Sequence, residues 1–162
     1  MATIEIIKAE RSHVDTVAQS MRQSDRDEIW ASSLTTPYEA LDASLSFSPM
    51  AWTATLDGVP FCMFGVAAAS PLCKHGIPWM LGSPQIEKNA VGFLRRSKAC
   101  LTNVTQHYKV LSNYVDARNL TAIRWLKWMG FTLRPPIPHG PFNLLFHPFE
   151  FKESVTCVIR FP

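Results

Sequence analysis

The sequence predicts a mixed α/β domain built on one largely antiparallel sheet. Segments with strand character alternate with segments of helical periodicity along most of the chain. Asp57-Gly58 also joins two strand-like runs with the two-residue spacing of a tight hairpin. Interleaved strands and helices with an antiparallel hairpin are typical of a mixed sheet.

The N-terminal half is predicted to begin with a strand over 3–7. Ser12 then caps a helix whose apolar residues recur with a 3.6-residue period. A second helix carries Pro37 at its first position, which proline tolerates because no hydrogen bond is lost there. The runs 50–56 and 59–68 form the hairpin, and the second is almost wholly apolar. Such a run indicates a central strand covered on both faces.

The C-terminal half continues the alternation. Pro78 interrupts a strand and predicts a bulge or an unpaired edge position, and the proline-rich stretch 135–141 predicts a stiff loop. The other predicted elements are a strand over 76–81, a long helix over 86–108, a strand over 113–117, a short helix over 119–129, an aromatic-rich strand over 144–151 and a β-prone tail over 154–160.

Length and composition limit the class of protein. The chain has 162 residues, enough for one domain with an apolar core. We place that domain at 1–152 and a β-prone tail at 153–162. No run of 18 apolar residues is present, so no membrane span is expected. The N-terminus lacks the basic start and apolar block of a signal peptide, so secretion by that route is not expected.

Cysteines, histidines and charge give weaker signals. The four cysteines include no CxxC pair and predict free thiols in a reducing compartment. The five histidines include no HxxxH pair, so no metal site is predicted. Residues 1–73 carry a balance of −5 and residues 74–134 a balance of +8, within a formal net charge of +3. Such a basic segment holds a phosphate ligand, a nucleic acid or an acidic partner, or is simply solvated.

The most specific signal is a capped helix near the end of the chain. Asn119 caps this helix through its side-chain oxygen, and Gly130 suits a left-handed C-terminal position. The pattern Asn119-x-x-Ala122 followed by Gly130-Phe131 resembles the Gcn5-related N-acetyltransferase (GNAT) family, and so does the order of elements around it. The resemblance covers nearly the whole chain. It implies a GNAT-like acyl-CoA N-acyltransferase fold.

The resemblance also implies a sheet and a cleft. It implies six or seven strands, of which 76–81 and 113–117 are parallel neighbours that splay apart at one end. Any ligand cleft then lies where these strands diverge. The candidate cofactor-binding residues are Trp79, Met80, Leu81, Gln85, Lys88, Ala90 and Asn119.

The expected cofactor loop departs from the family pattern. In active members a loop of the form Q/R-x-x-G-x-G/A holds the pyrophosphate of acetyl-CoA with backbone N–H groups and a helix N-terminus. The matching stretch is QIEKNA at 85–90. Gln85 and Ala90 fit, Lys88 replaces the central glycine and crowds the loop, and Glu87 adds charge that opposes phosphate. Acetyl-CoA is therefore the candidate cofactor, but its expected loop is atypical.

The catalytic residues are also incomplete. Many active members carry a tyrosine seven residues after the family asparagine, where it protonates the leaving thiolate. That position is Leu126, which has no proton to donate. Asp116 and His75 are weak candidates for a general base, since each also has a simpler role as a surface or turn residue.

Further blocks resemble a narrower group. PWMLGS, FLRR, NYVDARN and HGPFNLLFHPF are similar to segments of GNAT-like proteins of tailed podophages, known as internal virion protein A or as acyltransferases. This resemblance implies a bacteriophage protein that takes part in virion morphogenesis. It also implies a place in the host cytoplasm or the virion.

Two functions follow. The first is a phage-encoded GNAT-fold protein with eroded acetyltransferase activity that binds a virion component, a host protein or a second copy of itself. The tail at 154–162 either makes that contact or covers an open sheet edge. The second is an acetyl-CoA-dependent N-acetyltransferase with an atypical cofactor loop. A nucleic acid is a less expected partner, because only Arg124-Trp125-Leu126-Lys127-Trp128 combines basic and aromatic residues.

Overall fold

Eight strands form one mixed sheet in the computed structural model, which describes residues 1–152. The tail over 154–162 lies outside the described residues. The order across the sheet is β1-β2-β3-β4-β5-β8-β6, and β7 also pairs with β8. The strands are β1 Ile4–Lys8, β2 Met50–Leu56, β3 Val59–Ala68, β4 His75–Gly82, β5 Val110–Asp116, β6 Thr132–Leu133, β7 Ile137–His139 and β8 Leu144–Lys152.

The expected count of six or seven strands is too low because the chain adds two short ones. β6 pairs with β8 at Glu150 and Phe149, and β7 pairs with it at Leu144 to Phe146. β7 lies within the stretch 135–141, which was predicted as a loop. Its Pro138 is tolerated because, among the described strands, β7 pairs only with β8 and has one side free of ladder bonds.

Six helices cover the two faces of the sheet. They are α1 Val14–Gln19, α2 Gln23–Ser33, α3 Pro37–Ser46, α4 Gln85–Lys88, α5 Ala90–His107 and α6 Leu120–Met129. Side chains alternate along β3, so Met63 packs with α1–α3 while Phe64 packs with α5 and α6. Thr36 and Glu39 form a capping box at the start of α3. In the described part of the chain, no helix has the length and apolarity to cross a membrane.

Two helix predictions require correction. α2 was not predicted, because its residues are mainly polar and few of them are buried. The single helix expected over 86–108 is divided at Asn89, whose φ of −118° and ψ of 21° are not helical. The Asn89 side-chain amide donates to the Gln85 carbonyl at 2.9 Å and fixes this break. α4 is thus a separate helical turn between β4 and α5.

The parallel pairing of β4 with β5 positions the site. As expected, these strands are neighbours, but they pair only at His75 with Val110 and at Gly76 with Leu111. Beyond Gly76, β4 continues beside β3 and β5 continues beside β8. The two strands therefore splay apart. Pro78 stays in register with Val66 of β3, so the predicted bulge or edge position is not observed. Proline is tolerated because β5 pairs with β4 only at His75 and Gly76 and needs no N–H bond from residue 78.

A glycine of β3, Gly65, tests how closely β2 and β3 pack beside this opening, and Gly92 of α5 serves as its control. A Cβ on Gly65 would lie 2.5 Å from the Met50 carbonyl oxygen, a backbone atom that cannot move alone. We expect Gly65→Ala to lower the free energy of unfolding by about 2 kcal/mol, as overpacking does. Gly92→Ala in α5 has more room, with its nearest atom 3.3 Å away, and is expected to raise it by about 0.5 kcal/mol. Urea unfolding followed by circular dichroism measures both changes. Equal stability of Gly65→Ala and the parent would contradict the close packing.

Candidate functional site

The divergence of β4 and β5 opens a cavity of about 510 Å³. Its walls come from both faces of the sheet, with Ile29 and Ala43 from α2 and α3 and with Leu101 and Leu126 from α5 and α6. Most of the lining is apolar. A cavity of this size suits a small molecule or the end of a larger one.

The far end of β4 is held by residues from the start of α2. The Gly82 carbonyl accepts from the backbone N–H of Arg22 at 2.9 Å, and the Gly82 N–H donates to Asp25 Oδ2 at 3.0 Å. Both polar groups of Gly82 are therefore satisfied on the side that faces the opening. They take no part in binding a ligand.

Met80 of β4 lies between two residues, Pro78 and Gly82, whose backbone groups already have hydrogen-bond partners. The Pro78 carbonyl accepts from Asn113 Nδ2 at 2.9 Å, so the β5 side chain bridges the opening there. Because backbone groups alternate along a strand, the N–H and C=O of Met80 face the same side as those of Pro78 and Gly82. Met80 thus offers one donor and one acceptor to a ligand with an amide group.

A buried ion network closes the cavity near α4. Arg22 is only 4% exposed, and its guanidinium pairs with Asp25 at 2.8 Å and with Glu87 of α4 at 3.1 Å. It also lies 4.9 Å from the centre of the Trp125 ring. Burial raises the pKa of Asp25, although the Arg22 charge opposes this. Arg22 lines the cavity and ties its wall to the Glu87 side chain.

Glu28 supplies a second carboxylate, which is half-buried. Its Oε2 accepts from Asn119 Nδ2 and from the Asp116 backbone N–H, each at 3.1 Å. Burial raises the pKa of Glu28 to about 7, and the negative charges of Asp25 and Asp116 act in the same direction. Glu28 lines the cavity. A carboxylate with this pKa accepts a proton near neutral pH.

The short helix α4 uses its own backbone donors. All four N–H groups of residues 86–89 donate within the turn. The bonds run from Ile86 to Ser83 at 3.1 Å, from Glu87 to Pro84 at 3.2 Å, from Lys88 to Pro84 at 3.4 Å and from Asn89 to Gln85 at 3.0 Å. These N–H groups become available to an anion only if α4 unwinds. The Lys88 side chain is exposed. The hydrogen bonds of the turn therefore limit anion binding by this loop more than the bulk of that side chain does.

Comparison with known proteins identifies the architecture. No protein-family model matches the sequence, and no curated protein matches it. Solved structures match along nearly the whole chain. The GNAT-family acetyltransferase of Streptococcus pneumoniae is 15% identical, with 93% of this chain and 99% of that chain covered and a TM-score of 0.65. The chain has the GNAT fold.

Two further structures carry the same fold. RimL, a ribosomal L7/L12 alpha-N-protein acetyltransferase solved in complex with coenzyme A, is 11% identical, with 93% of this chain and 94% of that chain covered and a TM-score of 0.69. The ribosomal-protein-S18-alanine N-acetyltransferase of Escherichia coli is 12% identical, with both chains fully covered and a TM-score of 0.65. At these identities the likeness establishes the GNAT fold alone.

The candidate cofactor-binding residues divide into two groups on this GNAT fold. Trp79, Met80, Leu81 and Asn119 line the cavity. Gln85, Lys88 and Ala90 belong to α4 and the start of α5 and do not line it. The contact of either group with a cofactor stays a prediction.

The two candidate bases lie away from the cavity wall. Asp116 is buried at the end of β5, where Arg118 pairs with it at 2.6 Å. His75 lies at the closed end of the β4–β5 pair, with its Nε2 2.6 Å from Ser112 Oγ. Neither lines the cavity. The sequence missed Glu28, because its partner Asn119 is 91 residues away and no local pattern links them.

The pKa of Glu28 predicts a change of stability with pH. Because the folded-state pKa lies above the ordinary value of 4.5, folding favours the protonated form. The contribution is complete below the unfolded pKa and is lost as pH rises through about 7. Relative to Glu28→Gln, the parent protein should therefore lose up to about 3 kcal/mol of unfolding free energy between pH 5 and pH 8.

Urea titrations at several pH values measure this difference. Glutamine keeps an oxygen that accepts from Asn119, so Glu28→Gln preserves the shape of the site. Asp27→Asn, at an exposed acid on the same helix, is the matched control and should leave the pH dependence unchanged. A parent-minus-variant difference that is the same at pH 5 and pH 8 would show that Glu28 titrates normally.

Proposed function

We propose that this chain is a GNAT-fold protein that acts by binding and whose acetyltransferase activity is eroded. The observation that carries the proposal is the helical turn α4. A diphosphate is held by several backbone N–H groups that point to one centre. The four N–H groups at 86–89 are instead consumed within the turn.

Two side chains strengthen this proposal. Glu87 projects from α4 and pairs with Arg22 at 3.1 Å, so the nearest buried cation is already neutralised by carboxylates. A phosphate approaching α4 meets the negative charge of Glu87, which is half exposed. Leu126 lines the cavity and cannot protonate a leaving thiolate. The turn α4 therefore offers a diphosphate no free N–H group over residues 86–89, and Leu126 supplies no general acid.

The identity of the partner rests on sequence likeness. The blocks that resemble podophage internal virion protein A support a phage-encoded protein that binds a virion component, a host protein or a second copy of itself. The host cytoplasm or the virion is the corresponding location. The tail at 154–162, which is the expected contact, lies outside the described residues.

Binding of a cofactor fragment distinguishes the contribution of the cavity to affinity from that of the expected diphosphate loop. S-Acetylpantetheine contains the amide-bearing arm of acetyl-CoA without the nucleotide. Met80 and the apolar wall are available to that arm, whereas α4 offers no free N–H groups over residues 86–89 to the diphosphate. In calorimetric titrations we therefore expect S-acetylpantetheine and acetyl-CoA to bind weakly, with affinities within about threefold of each other. The proposed gain from a bound diphosphate, about 10-fold per 1.4 kcal/mol, should be absent.

A paired substitution makes this test specific to the cavity. Ala122 lines the cavity, and Ala122→Phe should fill it and remove binding of S-acetylpantetheine. Ala99 is an exposed residue of α5, and Ala99→Phe adds the same group without effect. Submicromolar binding of acetyl-CoA, lost when the nucleotide is removed, would contradict the proposed erosion.

Glu28 favours a second candidate function, an acetyl-CoA-dependent N-acetyltransferase. It lines the cavity and has a pKa of about 7, so it suits the deprotonation of an ammonium group on an acceptor. On this account thiol is released from acetyl-CoA in the presence of amines, and Glu28→Gln lowers kcat by at least about 100-fold. The rate of the parent should rise with pH through about 7. Amine-dependent thiol release by the parent would favour this function over the first.

A further inference from the structure

The outer surface of α5 and α6 is strongly basic. Neither helix contains an aspartate or a glutamate over Ala90–His107 or Leu120–Met129. We define the α5–α6 face by the exposed residues Arg95, Lys98, Arg124, Lys127 and Trp128. The sequence separates these residues by up to 33 positions, and only the fold brings the two groups together.

A direct contact joins the two helices on this face. Lys98 Nζ lies 4.8 Å from the centre of the Trp128 ring. Arg95 is one turn before Lys98 on α5, and Arg124 is one turn before Trp128 on α6, so each pair shares one side of its helix. Lys98 therefore lies over one face of an aromatic ring that is 48% exposed, and Arg95 and Arg124 lie one turn away on the same sides of the two helices.

The charges on this face are not neutralised by the rest of the described chain. None of its four cations lies within 4.0 Å of a carboxylate among residues 1–152. Other cations of the chain do form such pairs, namely Arg11, Arg22, Arg118, Arg134 and Lys152. The face thus keeps an excess of positive charge that a polyanion complements.

We infer that the α5–α6 face binds single-stranded nucleic acid through its phosphates, with a base stacked on Trp128. Cations that follow a backbone and an exposed aromatic ring that accepts a base are the two parts of such a site. Trp125, the other tryptophan of α6, is buried and takes no part. An acidic polypeptide satisfies the cations with carboxylates, which do not stack on Trp128, whereas every nucleotide carries both a phosphate and a base that stacks, so the ring favours a nucleic acid.

Fluorescence anisotropy with a labelled 20-residue oligothymidylate tests the inference on the full chain. We expect a dissociation constant of about 10⁻⁴ to 10⁻⁶ M near physiological salt. Four phosphate contacts predict a slope of about −3 for log K against log salt. Trp128→Leu should weaken binding by about 10-fold with the slope unchanged, because it removes stacking and no charge.

Matched charge variants locate the site. The triple variant Arg95→Gln, Lys98→Gln and Arg124→Gln should reduce the slope to about −1. A control triple variant removes the same charge elsewhere, at Lys8, Lys74 and Lys109, which are exposed, and should bind as the parent does.

Three results would overturn the inference. They are equal losses in both triple variants, binding of polyglutamate as tight as that of the oligothymidylate, and displacement of the oligothymidylate by an equimolar amount of coenzyme A. The last result would assign the face to a nucleotide cofactor. The comparison of the two triple variants and the polyglutamate titration do not depend on whether the cavity binds a thioester.

Discussion

The limited pairing of β4 with β5 is the constraint on which the site depends. Two residue pairs hold the strands together at His75 and Gly76, and each strand then follows a different neighbour. The backbone groups of β4 that lose a strand partner must be satisfied in another way. Asn113 serves the Pro78 carbonyl, and the start of α2 serves Gly82. The remaining position, Met80, faces a cavity of about 510 Å³.

The same demand for hydrogen bonds explains the character of α4. A loop that binds phosphate leaves several N–H groups without internal partners, so it is stable only when the ligand or water supplies them. Here the chain between β4 and α5 forms a helical turn that satisfies these groups internally. Arg22, buried and paired with Asp25 and Glu87, fixes the turn to the rest of the domain. The N–H groups of residues 86–89 thereby have partners without a diphosphate.

Local chemistry made part of the fold predictable. Asn119 and Gly130 mark the ends of α6 through interactions within a few residues, and both occupy the predicted cap positions. The turn at Asp57-Gly58 has positive φ at both residues, as its sequence indicates. The division of the long helix was missed because the apolar period continues across Asn89, whereas the break lies in the backbone angles of Asn89 and in its side-chain bond to the Gln85 carbonyl.

The site was less predictable because its polar groups come from distant segments. Trp79 and Leu81 were identified from the strand that carries them, and both line the cavity. Arg22 and Glu28 belong to a polar helix with no recognisable motif, and their contacts lie 65 and 91 residues away. In the sequence alone, Arg22 and Glu28 are two ordinary charged residues, because their contacts are visible only in the structure. The fold brings each into a set of polar contacts at the cavity wall, Arg22 with Asp25 and Glu87 and Glu28 with Asn119.

Nuclear magnetic resonance of the ¹⁵N-labelled protein titrated with coenzyme A tests the central claim, that α4 keeps its N–H groups for itself. The amide resonances of residues 86–89 should stay in place as the ligand is added, because those groups remain bonded within the turn. Any response should be confined to residues of the cavity wall such as Met80. Saturable shifts of the 86–89 amides would contradict the account, since they would show that α4 releases these donors to a diphosphate.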